Sequence, residues 1–282
     1  MHIDARAYAK INWSLDILST RDDGYHELDM LMQKIELCDE LRFQRAKWLS
    51  LTINGRQLPV GGKNLVVRAA TALCAFMGKR YGARIVLKKR IPVRAGLGGG
   101  SADCAAALVA LNKLWNLNLP MNRLVEIGAT LGADVPFLME GGFARVRGVG
   151  ERMEKLDNPP KIPLVLLMPA EGLSTAQVFA EYDRMNLSPL GLDLPRLADA
   201  LRAQDYDACK ILSGNALEAP SVRLLPDVQT AINRLYDNGA YFARMTGSGS
   251  CVFGAFRTAA EAMAAVDRMG AGIFTWTLGS EG

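Results

Sequence analysis

The stretch IPVRAGLGGGSADCAAAL, residues 91–108, joins a glycine-rich loop to an alanine-rich run with helical character. Four of the five residues from Gly96 to Gly100 are glycine. Because glycine lacks a Cβ, the backbone of such a loop can approach a ligand closely and adopt a positive φ. A helix that starts there points its unpaired N–H groups and the positive end of its dipole at the ligand. The stretch predicts a phosphate-binding loop, with a flexible turn before a helix as the alternative.

The loop departs from the two commonest phosphate-binding motifs. A Walker A loop needs Lys and then Ser or Thr after its last glycine, whereas Gly100 is followed by Ser101 and Ala102. The dinucleotide pattern G-x-G-x-x-G fails as well, because its third glycine, counted from Gly96, would fall at Ser101. The loop therefore indicates a phosphate without naming the class of protein.

The composition of the chain favours a small anionic ligand. Its 282 residues, 50% of them hydrophobic, are enough for two modest domains or one large one. The formal net charge is +4 and the longest basic run is KKR at residues 88–90, which favours anionic small molecules over nucleic acid. No apolar run reaches membrane-spanning length and the N-terminal MHIDARAYAK lacks a signal-peptide core. We therefore expect a cytoplasmic protein with no nucleic-acid or membrane partner.

The cysteines indicate a reducing compartment. They are odd in number and show no C-x-x-C spacing, which argues against a disulfide framework and against a metal site. We expect buried thiols at all five positions, which are Cys38, Cys74, Cys104, Cys209 and Cys251.

Strict alternation marks the N-terminal segment. From Asp4 to Ile17 the odd positions are apolar and the even positions are polar, a period of two that predicts a strand with one buried face. The other face carries Tyr8, Lys10, Asn12 and Ser14 in a row. From the pattern alone we expect that polar face to be solvated.

Two polar features of the first half have alternative interpretations. In RDDGYHEL, the pair Tyr25–His26 follows a turn and is either ordinary surface or a place where a base could stack. Asp134, in LGADVPFLMEGG, lies in an apolar stretch, where a carboxylate must be hydrogen-bonded, paired or functional. Capping of the following segment and a functional role are equally compatible with its spacing. Asn64 is expected to be the N-cap of a helix over 65–77.

The second half of the sequence predicts a domain whose architecture differs from that of the first half. NPPKIP, residues 158–163, carries three prolines and is the best candidate for a linker. Beyond it the pattern reduces to β-α-β-β-α-β with extra helices, which fits a ferredoxin-like domain. TGSGS, residues 246–250, falls between two of those strands and is predicted to form a hairpin turn. Two domains with a glycine-rich loop in each suggest a ligand held in the cleft between them.

Three of these motifs together resemble the GHMP kinase superfamily. AYAKIN, PVRAGLGGGSA and TGSGS occur in the order of the three superfamily motifs and span most of the chain. The resemblance implies an α+β, two-domain GHMP kinase fold. Its N-terminal, ribosomal-protein-S5-domain-2-like domain would take residues 1–158, and its C-terminal ferredoxin-like domain with added helices would take residues 159–282.

DGYHEL and LGADVPF make the sequence similar to one branch of that superfamily. Members of the branch transfer the γ-phosphate of ATP to a hydroxyl of a cytidyl substrate in the non-mevalonate isoprenoid pathway. Tyr8 stands where many relatives have Pro, which we interpret as a variation that does not affect Lys10. The resemblance implies ATP as co-substrate, with Mg²⁺ accompanying the nucleotide. The sequence names no dedicated ligand set for the metal.

The resemblance also implies roles for individual residues. Lys10 and Asp134 correspond to the catalytic pair. The ATP phosphates would be wrapped by Pro92, Val93, Arg94, Ala95, Gly96, Leu97, Gly98, Gly99, Gly100, Ser101 and Ala102, with Asn64 and Leu65 near the adenine. The substrate positions are Asn12, Tyr25, His26, Thr175 and Phe179, with Tyr25 and Phe179 on opposite faces of the cytosine and His26 on its edge.

Two other functions are compatible with the same motifs. One is a different small-molecule kinase of the superfamily, of the homoserine or mevalonate type, in which Tyr25, His26 and Phe179 would have no evident role. The other is a non-catalytic nucleotide-binding sensor, which would need neither Lys10 nor Asp134. Cytidine binding separates the first from the cytidyl kinase, and turnover separates the second.

Overall fold

The computed structural model describes residues 2–58 and 62–279. The chain divides into two compact units. Unit 1 comprises Met1–Ala9, Leu37–Pro92 and Gly98–Gly141, and unit 2 comprises Lys10–Glu36, Val93–Leu97 and Gly142–Gly282. The chain therefore passes from one unit to the other inside its first two strands and inside the glycine loop. The predicted boundary between residues 158 and 159 concerns the two family domains and stays a prediction.

In its described residues, unit 1 contains strands of one sheet and four helices. The first two strands, β1 (His2–Thr20) and β2 (His26–Arg45), contribute residues to both units. Residues 40–45 of β2 pair antiparallel with β5 (Ala83–Lys88), which pairs parallel with β3 (Ser50–Ile53), and β3 pairs with β4 (Arg56–Leu58). The helices of this unit are α1 (Leu65–Phe76), α2 (Gly99–Trp115), α3 (Met121–Ala129) and α4 (Val135–Glu140).

Unit 2 contains two sets of paired strands. Residues 28–33 of β2 pair with β6 (Phe143–Gly148), which pairs with β7 (Arg152–Lys155). The second sheet has the antiparallel order β11-β8-β10-β9. Its strands are β8 (Pro163–Leu167), β9 (Phe242–Met245), β10 (Val252–Ala255) and β11 (Ile273–Trp276). The helices are α5 (Thr175–Met185), α6 (Leu194–Ala203), α7 (Tyr206–Leu212), α8 (Glu218–Leu224), α9 (Asp227–Asp237) and α10 (Ala259–Met269).

The ferredoxin-like prediction for the second half is confirmed. The strands follow the predicted β-α-β-β-α-β order, with α5 to α9 inserted between β8 and β9 and with α10 between β10 and β11. A fully buried aromatic group, Trp13, Phe242 and Phe253, forms part of the core, with ring centroids 5.5–6.0 Å apart. Residues 246–250 form the turn between β9 and β10, as the sequence predicted.

Local predictions are confirmed in type and corrected at their limits. Asn64 is the N-cap of α1, and its side-chain oxygen accepts a hydrogen bond of 2.9 Å from the Val66 N–H. The helix that Asn64 caps was predicted over 65–77 and ends at Phe76. The predicted helix after the glycine loop begins at Gly99, inside the glycine run itself.

The expectation of a solvated polar face on β1 is wrong. Lys10 is 4% exposed, and Asn12 and Ser14 are each 1% exposed. Other segments of unit 2 cover this face and satisfy it. The Ser14 hydroxyl donates to the Gly214 carbonyl oxygen at 2.9 Å, and the Asp16 carboxylate accepts hydrogen bonds from the backbone N–H groups of Ile17 and of residues 190–192. Alternation in a sequence identifies two faces, and here both are buried from Lys10 to Ile17.

The cysteines agree with the expectation in part. Cys104, Cys209 and Cys251 are buried and unpaired, whereas Cys38 and Cys74 are half-buried. Burial raises the pKa of Cys104 and of Cys209 to about 12, so both thiols stay protonated at neutral pH. Across residues 2–58 and 62–279, none of the helices has the length and apolar character needed to cross a membrane.

Candidate active site

In unit 2, the loop residues 93–97 lie against two other segments. The Lys10 N–H of β1 donates a hydrogen bond of 3.0 Å to the Leu97 carbonyl oxygen. On the other side, Gly96 approaches the 246–250 turn so closely that a Cβ built on it would lie 2.0 Å from the Thr246 carbonyl oxygen. Gly96 also has φ +72°, so only glycine meets both requirements. The turn that the sequence presented as a simple hairpin therefore supports the glycine loop.

Side chains from the helical part of unit 2 hold that turn in place. The Asn215 side-chain amide donates to the carbonyl oxygens of Met245 and Gly247 at 2.8 and 2.9 Å. The hydroxyls of Thr175 and Ser248 are 2.8 Å apart and share a hydrogen bond. Thr175, a predicted substrate residue, thus lies at the turn, while Asn215 and Ser248 were missed. Asn215 lies in SGNALE, which carries no recognisable motif.

Lys10 is a buried cation with fixed geometry. Its ammonium donates a hydrogen bond of 2.8 Å to the Asn12 side-chain oxygen, and the Asn12 N–H donates to the Thr246 hydroxyl at 3.0 Å. Burial of a charged group is costly unless polar partners surround it. The Lys10–Asn12 pair is therefore held in one arrangement by β1 and by the 246–250 turn.

In unit 1, the glycine loop ends in the start of α2. Gly98 is the N-cap, with φ +69°, and its carbonyl oxygen accepts from the Ala102 N–H at 2.8 Å. The N–H groups of the first turn have no partner within the helix, and together with the helix dipole they favour an anion. A Cβ built on Gly100 would lie 3.5 Å from the Leu65 side chain, so the start of α1 borders the loop as well.

Asp134 lies directly before α4 on a segment that reaches the same helix start. Its side chain makes no capping hydrogen bond to α4, although its carbonyl oxygen accepts from the Leu138 N–H at 3.0 Å. The side-chain capping alternative is therefore not what the structure shows. A Cβ built on Gly132 would lie 3.5 Å from the Ser101 hydroxyl, which places the LGAD segment beside the first turn of α2.

A group of aromatic side chains surrounds His26 in unit 2. The His26 ring is 8% exposed, and its centroid lies 4.8 Å from the Phe179 ring and 5.9 Å from the Tyr182 ring. Its Nε2 atom is 2.7 Å from the Asp183 carboxylate. Tyr25, the neighbouring residue, is 65% exposed. In the Tyr25–His26 pair, the His26 ring is therefore held in place and the Tyr25 ring is open to solvent. The interpretation of both residues as ordinary surface does not apply to His26.

The predicted site residues are distributed over both units. Unit 1 contains Asp134, Asn64, Leu65, Pro92 and residues 98–102, and unit 2 contains Lys10, Asn12, Tyr25, His26, Thr175, Phe179 and residues 93–97. Two side chains that sequence patterns did not single out, Tyr182 and Asp183, belong to the His26 group. Within the described parts of the chain, no cluster of three or more His, Cys, Asp or Glu residues could hold a metal ion.

Comparison with known proteins gives matches along most of the chain. Residues 64–142 match the family described as GHMP kinases N terminal domain, and residues 197–272 match GHMP kinases C terminal. The crystal structure of a mevalonate kinase from L. major, solved with R-mevalonate, superposes with a TM-score of 0.73 at 14% identity, over 99% of this chain and 96% of that one. At that identity the likeness concerns the fold. The fold and the two matched domains therefore place this chain in the class of GHMP kinases.

Relatives of higher sequence identity show which family of GHMP kinases this chain belongs to. A 4-diphosphocytidyl-2-C-methyl-D-erythritol kinase from Pelotomaculum thermopropionicum is 48% identical over 90% of this chain and 89% of its own length. The enzyme of that name from Moorella thermoacetica is 44% identical over 88% of each chain. The crystal structure of a 4-(cytidine 5'-diphospho)-2C-methyl-D-erythritol kinase superposes with a TM-score of 0.84 at 34% identity, over 99% of this chain and 100% of that one. This chain belongs to the 4-diphosphocytidyl-2-C-methyl-D-erythritol kinase family.

Proposed function

We propose that the protein transfers the γ-phosphate of ATP to the 2-hydroxyl of 4-diphosphocytidyl-2-C-methyl-D-erythritol, in the non-mevalonate route to isoprenoid precursors. The observation that supports this most directly is the meeting, inside unit 2, of Lys10, the loop residues 93–97 and the 246–250 turn. These three segments carry the three superfamily motifs, and they are far apart in the sequence. The strong similarity to relatives of that name adds the substrate.

The proposed chemistry needs position and charge more than a covalent intermediate. Phosphoryl transfer passes through a loose transition state, so catalysis consists mainly of alignment and electrostatic stabilisation. The N–H groups along residues 93–101 and the Ser101 hydroxyl would hold the ATP phosphates, with Pro92 and Ala102 at the two ends of this loop. Asp134 would accept the proton of the attacking hydroxyl. Lys10, which is buried and bonded to Asn12, would orient that hydroxyl.

The cytidyl group is proposed to lie at the His26 group. Tyr25 offers an open aromatic face on which cytosine could stack, and Phe179 would cover its other face. His26 would bond the edge of the base, with its ring kept in place by Asp183, Phe179 and Tyr182. Asn12 and Thr175 would contact the part of the substrate near the reacting hydroxyl. Asn64 and Leu65 are proposed to border the adenine of ATP.

Mg²⁺ is proposed to bind with the nucleotide. The described residues offer no cluster of three acidic or histidine side chains for a dedicated site. Mg²⁺ in kinase sites is commonly held by one or two carboxylates together with substrate phosphates and water. The proposal therefore needs no dedicated metal site, and it names no particular carboxylate as a ligand. The cytoplasmic location predicted from the sequence and the two domains, 1–158 and 159–282, are retained as proposals.

A single-turnover assay with labelled ATP and the cytidyl substrate tests the function. The parent protein should transfer the label to the cytidyl substrate. Asp134→Asn should fold and bind both substrates but transfer phosphate about 10² to 10⁴-fold more slowly, the usual contribution of a general base. Asp237→Asn, which changes an exposed carboxylate at the end of α9, is the matched control and should react like the parent.

Other outcomes identify the alternatives. If Asp134→Asn reacts within a few-fold of the parent, Asp134 is not the base. If the parent fails to bind cytidine nucleotides but phosphorylates homoserine or mevalonate, the protein is a different kinase of the superfamily. If it binds ATP and transfers phosphate to none of these substrates, the sensor interpretation is favoured.

A further inference from the structure

A buried charged cluster lies behind the start of α2, in unit 1. The Lys89 ammonium contacts two carboxylates, at 2.5 Å from Asp39 Oδ2 and 2.9 Å from Asp103 Oδ2. Asp39 is fully buried, Asp103 is 4% exposed, and the Lys89 side chain is 17% exposed. Burial of charge is costly, so three buried charged side chains at one place need a structural or functional reason. The roles proposed for the catalytic residues do not provide one.

The cluster joins three segments that are separate in the sequence. Asp39 belongs to β2, and its Oδ1 atom accepts hydrogen bonds from the N–H groups of Arg90 and Ile91 at 2.5 and 2.9 Å. Asp103 follows the first turn of α2. A Cβ built on Gly99, the first residue of α2, would lie 3.3 Å from the Lys89 ammonium. Lys89 therefore connects the segment before the glycine loop with α2, the helix that follows the loop.

One atom of the cluster is incompletely satisfied. Asp103 Oδ1 is buried and has no hydrogen-bond partner, although the carboxyl of Asp39 is near enough to interact with that of Asp103. Two carboxylates beside one ammonium leave the ionised cluster with a net negative charge. Two acceptor groups that face each other become a donor and an acceptor when one of them takes a proton. The cluster can therefore accept a proton on one of its two carboxylates.

We propose that Asp39, Lys89 and Asp103 are positioning residues for the phosphate-binding end of α2, and that ATP binding there draws a proton from solvent onto Asp103. The inference rests on the proposed role of the glycine loop in phosphate binding. The ATP phosphates bring negative charge to a helix end that already has a net negative cluster behind it. Protonation of Asp103 neutralises the cluster and removes that repulsion.

The electrostatic environment of Asp103 agrees with this inference. Burial raises the pKa of Asp103 to about 7, against the opposing effect of Lys89 and with a further increase from Asp39. The Lys89 pKa is itself raised, because the two carboxylates outweigh the lowering by burial, so Lys89 stays charged. The other charged groups on the described helices packed against α2 are Arg68 on α1, Arg123 and Glu126 on α3, and Glu140 on α4.

Calorimetric titration of the protein with MgATP at pH 7 tests the inference. Repeating it in buffers of different ionisation enthalpy measures the protons taken up on binding. The parent should take up a fraction of a proton per ATP through Asp103, since a group with a pKa of about 7 is partly charged beforehand. Asp103→Asn should lose this uptake. Protonation of the nucleotide itself is common to both proteins and cancels in the difference.

The pH profile gives a second readout. Because Asp103 is protonated below its pKa and charged above it, the parent should bind ATP about three- to ten-fold more weakly at pH 8 than at pH 6. Asp103→Asn should show a flatter profile. The control is Asp29→Asn, which removes a carboxylate of similar burial, 6% exposed, that is paired with Arg145 in unit 2. It should keep the proton uptake of the parent.

Lys89 variants test the positioning role. Lys89→Met should raise KM for ATP about ten-fold or more with little change in KM for the cytidyl substrate, and Lys89→Arg should recover most of the loss. Infrared difference spectra of the parent, with and without ATP, should show a new protonated carboxyl band, a test that needs no folded variant. Equal proton uptake in the parent and in Asp103→Asn, or no new carboxyl band in the parent, would overturn the inference. Failure of the parent to bind ATP would instead overturn the proposed function.

Discussion

The glycine loop and the His26 group are built from opposite materials. The loop offers backbone: Gly96 and Gly98 have positive φ, and Gly96 touches a carbonyl oxygen of the 246–250 turn. The His26 group offers side chains, with one exposed ring at Tyr25 and a buried ring held by Phe179 and Asp183. A site made of backbone is damaged by adding atoms, and a site made of side chains is damaged by removing them. The two regions should therefore respond to different substitutions.

Of the substitutions that compare these two regions, adding one carbon to the loop is expected to have the largest effect. In Gly96→Ala the new Cβ would lie 2.0 Å from the Thr246 carbonyl oxygen, so the loop or the turn must move. Overpacking of this kind costs about 1 to 3 kcal/mol. Because the loop that must move is the one assigned to the phosphates, we expect much of this cost to appear as weaker ATP binding, by up to about a hundred-fold. Calorimetric titration with MgATP measures it.

The control for this substitution is Gly78→Ala, at the end of α1. Gly78 has φ +60°, so the backbone strain is similar, but no atom lies within 4 Å of the added Cβ. It should lower the free energy of unfolding by about 1 kcal/mol and leave ATP affinity unchanged. If both variants bind ATP like the parent, the loop does not depend on its contact with the turn.

A smaller effect is expected from removing the exposed ring. Stacking of a base on an aromatic side chain contributes about 1 to 3 kcal/mol, so Tyr25→Ala should weaken the cytidyl substrate about ten-fold or more. ATP affinity should stay unchanged, because its phosphates are assigned to the loop. Both affinities should be measured on one preparation, with Tyr25→Phe as the control that keeps the ring. Equal losses for both ligands would indicate a folding defect, and no loss would contradict the stacking role.

The smallest effect is expected at Asp183, which acts through His26. Asp183→Ala removes the hydrogen bond that fixes the ring, a loss of about 1 kcal/mol, or about five-fold in KM for the cytidyl substrate. The turnover number should change little, since Asp183 has no proposed contact with the reacting hydroxyl. Steady-state kinetics separate the two constants. A loss in turnover without a change in KM would show that Asp183 has a different role.

Much of the fold could be predicted because its determinants are local. The period of β1, the side-chain cap at Asn64 and the order of strands in the second half depend on neighbouring residues. Burial of the polar face of β1 could not be predicted, since the covering segments, around Gly214 and residues 190–192, lie far along the chain. Alternation gives the direction of side chains and does not tell what covers them.

The candidate site also has parts that the local sequence predicts and parts that depend on residues far apart in the chain. Motifs pointed to Lys10, Asp134 and the glycine loop, because these residue types at those spacings are unusual. Asn215 and Asp183 stand in ordinary helical or turn sequence and matter only through distant partners. The Asp39–Lys89–Asp103 cluster was missed for the same reason, since its members are common surface residue types that only the folded chain brings together.

The close approach of Gly96 to Thr246 limits how this protein can change over evolutionary time. Any side chain at position 96 would displace the carbonyl at position 246, and a Cβ at position 247 would in turn lie 2.9 Å from the Gly96 carbonyl oxygen. Each segment therefore leaves the other no space in which to vary independently. Although the two stretches lie far apart in the sequence, a larger residue in one of them should be tolerated only together with a change in the other.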